Sequence, residues 1–155
     1  MGEISYEELC RQIVQGCNEA VVYSDREGII RLWNAGAESM LGFSAAEAVG
    51  QSLDLFIPEN QRPRHWEGYY KVMQTGVTRY AKELLATPAL RKDGVRISIE
   101  FSITMVRDAA GGIAGTAAVV REVTARWQKE KALRARLFEL EKMCGQAAAT
   151  GPEHK

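Results

Sequence analysis

A chain of 155 residues with twenty lysines and arginines against twenty aspartates and glutamates has room for one compact domain and a helical extension. The even charge leaves no electrostatic footprint for nucleic acid or an anionic membrane surface, and no apolar run approaches the roughly 18 residues of a membrane span. Cys10, Cys17 and Cys144 are odd in number and lack CxxC spacing, which argues against a disulfide framework or a zinc site.

Met1-Gly2-Glu3-Ile4-Ser5 lacks the basic-then-apolar build of a signal peptide, so the expected location is the cytoplasm. Ser5-Tyr6-Glu7-Glu8 is a capping-box pattern, and Leu9, Ile13 and Val14 follow at helical spacing, which predicts a short amphipathic helix. Ala20 to Tyr23 and Ile29 to Trp33 read as two strands of a hairpin around Asp25-Arg26-Glu27-Gly28. Asn34 caps a brief helix that Gly42 stops, and Ser44 to Glu47 is a second capping box closed by Gly50. Pro58-Glu59-Asn60 opens a longer helix carrying His65, Tyr69, Val72 and Met73 and ending at Thr75-Gly76.

Three strands are predicted next. The first runs from Arg79 to Leu90, where Pro88 marks an edge or a bulge. In the second, Ile97, Ile99, Phe101, Ile103 and Met105 alternate with Arg96, Ser98, Glu100, Ser102 and Thr104, so one face is buried and the other wet. The third spans Ile113 to Val123 after a turn at Asp108 to Gly112. From Thr124 the chain is helical and charged, with Leu133, Leu137, Leu140 and Cys144 in a short heptad-like seam. The expected division is an amphipathic helix over 1–18, a strand-and-helix domain over 19–124, a C-terminal charged helix over 125–145 with a dimerisation seam, and a flexible polar tail over 146–155.

One residue stands out chemically. His65, in Arg62-Pro63-Arg64-His65-Trp66-Glu67-Gly68-Tyr69-Tyr70, is the only histidine of the predicted domain, since His154 lies in the tail. A neutral imidazole is a common metal ligand, so His65 is the side chain positioned to hold a metal-centred cofactor if the domain binds one in a pocket. The bland alternative is a hydrogen-bonded or exposed histidine. Trp66, Tyr69 and Tyr70 form an aromatic cluster that reads mostly as core and rim, and Glu83 as a solvent-facing strand residue. No phosphate loop, Ser-His-Asp set or kinase motif occurs, so no enzymatic activity is expected.

Taken together, Trp33-Asn34-Ala35 with Glu38, Gly42-Phe43 and Gly50, then Arg91-Lys92-Asp93-Gly94 and the exit Arg121-Glu122-Val123-Thr124, resemble a PAS domain, with Glu122 in place of the usual aspartate. The resemblance covers roughly residues 10 to 125. It implies an α+β fold: a five-stranded antiparallel sheet, small helices on one face, and flanking N- and C-terminal helices. Fold alone does not fix function.

Within that family, Arg62-Pro63-Arg64-His65 followed by Lys92-Asp93-Gly94 resembles the haem-binding sensors of the FixL and direct-oxygen-sensor type. The resemblance implies haem b with His65 as proximal iron ligand and Lys71 and Arg79 near the propionates. It also places Tyr69, Leu84, Leu85, Ile99, Phe101 and Ile103 around the cofactor. Leu85 falls where those relatives carry an oxygen-binding arginine, and Glu83 where one type carries a methionine ligand, so carbon monoxide or nitric oxide is expected before oxygen. The flavin-cysteine photochemistry of the light-sensing branch is not expected, because Gly50 to Ile57 contains no cysteine. A homodimer signalling to an unidentified downstream protein is expected, with no nucleic-acid or membrane partner. The alternative is a cofactor-free or small-metabolite-binding PAS interaction module.

Overall fold

Three short helices begin where the sequence supplies a capping side chain. Ser5 accepts the Glu8 amide at the start of α1 (Tyr6–Gly16), Asn34 that of Ala37 at α2 (Ala35–Leu41), and Ser44 that of Glu47 at α3 (Ala45–Ala48). Glu47 returns the favour by accepting from the Ser44 amide, completing a capping box. Gly42 closes α2 at φ 81°, a left-handed position that glycine adopts without a Cβ clash. The computed structural model describes residues 3–78 and 83–149. The chain divides into two compact units, one up to Glu122 and one from Val123 onward.

The first unit is built on a five-stranded antiparallel sheet in the order β2-β1-β5-β4-β3. β1 (Ala20–Asp25) and β2 (Ile30–Trp33) form the first hairpin, and β3 (Leu85–Leu90), β4 (Arg96–Arg107) and β5 (Ile113–Glu122) come after the helices. The register pairs Ala20 with Val120, Phe101 with Val120, and Ile97 with Ala89. One face of the sheet therefore collects Ala20, Val22, Ile97, Ile99 and Val120. Against it the core gathers Ala37 and Leu41 from α2, Ala48 from α3, Leu53 from a 3-10 turn and Tyr69 and Met73 from α4 (Arg62–Thr75). This is the α+β PAS arrangement expected from the sequence.

The strand predicted from Arg79 to Leu90 begins, among the described residues, at Leu85. Residues 79–82 lie outside the described residues, Glu83 and Leu84 are exposed, and the ladder starts at Leu85 opposite Phe101. Pro88 stands opposite Ser98 on this outermost strand, where a missing amide donor is tolerated. The Arg91 to Val95 hairpin that follows is closed by the Arg91 amide on the Val95 carbonyl at 3.0 Å. Lys92 leans from it to pair with Glu47, whose carboxyl the Lys92 ammonium and Ser44 hold at about 2.

Asn34 ties the front of the domain together. Its side-chain oxygen accepts from the amides of Val21 (2.8 Å) and Ala37 (2.9 Å), and its nitrogen donates to the carbonyls of Val14 (2.8 Å) and Glu19 (3.0 Å). One fully buried side chain thus satisfies backbone groups of α1, β1 and α2.

The described residues of the second unit form one helix, α5 (Thr124–Ala149). Leu133, Leu137 and Leu140 share one face. Trp127 and Phe138, three turns apart at about 3.6 residues per turn, share another.

Candidate functional site

The longest helix of the first unit positions the candidate residues. Arg62 anchors the start of α4 by donating to the Ile57 carbonyl and the Asp54 carbonyl, both at 3.1 Å. Pro63 sits in the first turn, where its missing amide costs no intrahelical bond. Gly76, at φ 69°, ends the helix. Side chains four residues apart on a helix lie one above the other. His65 and Tyr69 accordingly stand 5.7 Å apart between ring centroids, and Trp66 stacks on Tyr70 at 5.6 Å. The Trp66 indole N–H donates to Asp54 at 2.9 Å, and its ring lies on Gly28 so closely that a Cβ there would fall 2.2 Å from it.

His65 is half-buried, edge-on to Trp66 at 4.9 Å, and its Nδ1 is a buried atom without a hydrogen-bond partner among the described residues. Burial pushes its pKa below the usual histidine value, against the opposing pull of the Asp54 carboxylate. The ring is therefore neutral near pH 7, the form that binds metals. A depressed histidine pKa also has a stability consequence. The unfolded chain takes up the proton more readily, so stability is full above the ordinary value of about 6.5 and declines as pH falls below it. The melting temperature should drop between pH 7.5 and pH 5.5, and by less in His65→Ala. Equal drops in the two proteins would show that His65 does not carry the effect.

Beneath the helix lies a polar node that the sequence does not announce. Tyr69 is buried, and its hydroxyl donates to the Asp25 carbonyl and contacts Ser24 Oγ at 2.9 Å. Ser24 Oγ in turn lies 3.3 Å from Thr116 Oγ1 on β5. Burial holds the Tyr69 phenol above its usual pKa, so it remains protonated. The available signal was Ser24 itself, which follows Ala20 and Val22 in the buried phase of β1.

The remaining sequence candidates scatter. Ile99 is in the core, Phe101 packs against it, and Ile103 is half-buried. Leu85 is half-buried opposite Phe101, whereas Leu84 is exposed. Lys71 is exposed, and Arg79 lies outside the described residues. Two open clefts indent the surface. One of about 350 Å³ is lined by Arg26, Glu27, Tyr70, Met73 and Gln74, and one of about 290 Å³ by Gly42, Arg91, Lys92 and Asp93. His65 lines neither. Among the described residues no three His, Cys, Asp or Glu side chains converge as a set for a bare metal ion, and no helix is long and apolar enough to cross a membrane.

An antiparallel sheet in this order, with short helices packed on one face and the longest of them carrying the candidate site, makes this unit an α+β domain. The family model of the PAS fold matches residues 15–128, and the chain belongs to that family. The chain is 29% identical over 131 residues to the sensor protein FixL of Bradyrhizobium diazoefficiens, covering 84% of this chain and 25% of that protein. It is also 29% identical over 116 residues to an uncharacterised protein of Azorhizobium caulinodans, covering 74% of this chain and 16% of the relative. The chain thus spans a quarter or less of these curated relatives. A PAS domain from Colwellia psychrerythraea superposes with a TM-score of 0.69 at 20% identity, over 78% of this chain and 99% of that one.

Proposed function

We propose that this PAS domain is a sensor that takes haem b through His65, responds to a diatomic gas or to redox state, and passes the signal through α5. The observation that carries this is the His65 imidazole: half-buried beside aromatic rings, kept neutral, with its buried Nδ1 unpartnered among the described residues. The motif around it resembles that of haem-binding sensors, and the identity to a sensor protein of the same family supports a sensory role. Bound haem would supply an iron centre for a diatomic ligand or a change of oxidation state. His65 would hold the iron, Ile99 and Phe101 would give an apolar wall, and Lys71 would offer a cation to the carboxylates. Leu85 brings no hydrogen-bond donor to the ligand side, which favours carbon monoxide or nitric oxide over oxygen.

A second assignment, a cofactor-free or metabolite-binding interaction module, is favoured by one observation. The interior beneath α4 is filled by Tyr69 and Met73, and neither open cleft is lined by His65. Haem entering beneath α4 would displace these side chains. Titrating haemin into purified protein separates the two. A sharp, saturable Soret band at one haem per chain is expected; a broad, non-saturating band means the interaction module.

Assembly follows from the terminal helices. α1 exposes Leu9 and Ile13, and the α5 seam at Leu133, Leu137 and Leu140 is equally uncovered. A seam of about two heptads is too short to hold a coiled coil alone, so both helices contribute to a homodimer at micromolar concentration. The full chain should sediment as a dimer and a chain ending at Ala125 as a monomer. Two monomers would refute the dimer.

A further inference from the structure

Counting donors gives the buried hydroxyl chain a direction. The Asp25 carbonyl can only accept, so the Tyr69 hydroxyl commits its single proton there. The contact between Tyr69 and Ser24 must then be donated by Ser24, and the one between Ser24 and Thr116 by Thr116. The chain runs from Thr116 through Ser24 and Tyr69 to the Asp25 carbonyl, one proton per step.

That carbonyl also accepts from the Gly28 amide at 2.9 Å, closing the turn between β1 and β2. The Asp25 carboxylate holds the same turn through the amides of Glu27 (3.1 Å) and Ile29 (3.0 Å). Trp66, one helical turn before Tyr69, lies on Gly28 of that turn. The inner face of α4, which carries His65, is therefore fastened to the β1–β2 turn at two adjacent points. Through Thr116 it is fastened to β5, the central strand of the sheet. Tyr69 and Met73 belong to the core beneath α4 and His65 lines neither open cleft, so a ligand that enters between α4 and the sheet displaces this side of the helix.

We propose that the Tyr69 hydroxyl is the latch of the site beneath α4: ligand entry beside His65 detaches it from the Asp25 carbonyl, which loosens the β1–β2 turn and frees Thr116 on β5. The sheet thereby reads occupancy of the site. The latch rests on a ligand entering between α4 and the sheet, not on that ligand being haem. A neutral hydrogen bond shifts an opening equilibrium by about three- to tenfold, enough to bias the site and weak enough to release.

Native-state hydrogen exchange on the full chain, without ligand, tests the latch. In Tyr69→Phe, segments 24–30 and 62–75 should exchange about three- to tenfold faster together, with 85–104 unchanged. The effect should diminish from Tyr69→Phe to Ser24→Ala to Thr116→Val, as each hydroxyl stands a step further from the carbonyl. Tyr70→Phe, on the neighbouring ring, should leave every segment at the wild-type rate. The latch is overturned if Tyr69→Phe matches wild type in 24–30, or if all segments accelerate equally, which is general destabilisation. Stopped-flow mixing with haemin supplies a second readout, because uptake that requires opening accelerates by the factor seen in 62–75. Saturable uptake at the same rate in both proteins also overturns the latch. If haemin binds neither protein, the haem assignment fails and the exchange data alone decide the latch.

Discussion

His65→Ala is expected to fold normally and to lose stoichiometric haem. The imidazole is half-buried and its Nδ1 makes no hydrogen bond, so removing it breaks no polar network. Its removal deletes the only histidine of the domain. Losing a group behind a metal ligand weakens metal sites by about 10- to 100-fold; losing the ligand itself should exceed that. The check is a haemin titration beside far-UV circular dichroism, which should be unchanged. His154→Ala, in the polar tail, serves as the control and should bind as wild type does. Added imidazole should restore part of the Soret band by filling the space left at position 65. An alanine variant with a full-strength, native-like band would remove His65 as the ligand.

Asn34→Ala should strongly destabilise the fold. It takes the acceptor from the amides of Val21 and Ala37 and leaves the half-buried carbonyls of Val14 and Glu19 with only the weak Cys17 thiol donor. Each such group costs about 1–3 kcal/mol, and the lost helix cap about another 1. Partial relaxation and water entry reduce the sum, so a loss of about 3–5 kcal/mol is expected from urea unfolding midpoints. That is a large part of a typical domain's 5–15 kcal/mol. Asn34→Asp keeps the acceptor but sets a carboxylate against two carbonyls, and should be nearly as harmful. A loss below about 1 kcal/mol in Asn34→Ala would mean that these bonds are replaced by water at no cost.

Much of the fold is legible because it is written in local periodicity. The alternation from Ile97 to Met105 correctly assigns β4 a buried face, with Ile97 and Ile99 in the core and Phe101 and Met105 against it. Caps at Ser5, Asn34 and Ser44 are local too, since each partner lies three residues ahead. The other bonds of Asn34 are not legible, because Val14, Glu19 and Val21 reach it only once the hairpin and α1 are in place. His65 stands out in the sequence by being alone, but its burial beside Trp66 and its neighbour Asp54 do not. The hydroxyl chain is least legible of all: Ser24, Tyr69 and Thr116 come from three distant stretches, and only the polar break in the buried phase of β1 hints at it.

The strand order also decides when the domain can first exist. β1 is flanked by β2, which follows it at once, and by β5, so that Ala20 waits for Val120. At synthesis rates of about 5–20 residues per second, β1 spends several seconds with one edge unpaired. During that interval Val22, Ile30 and Trp33 lack most of the surface that later covers them. The nascent chain, rather than the finished protein, is therefore the species most open to strand-edge aggregation and to chaperones. Completion comes in one late step, when the central strand slots between β1 and β4.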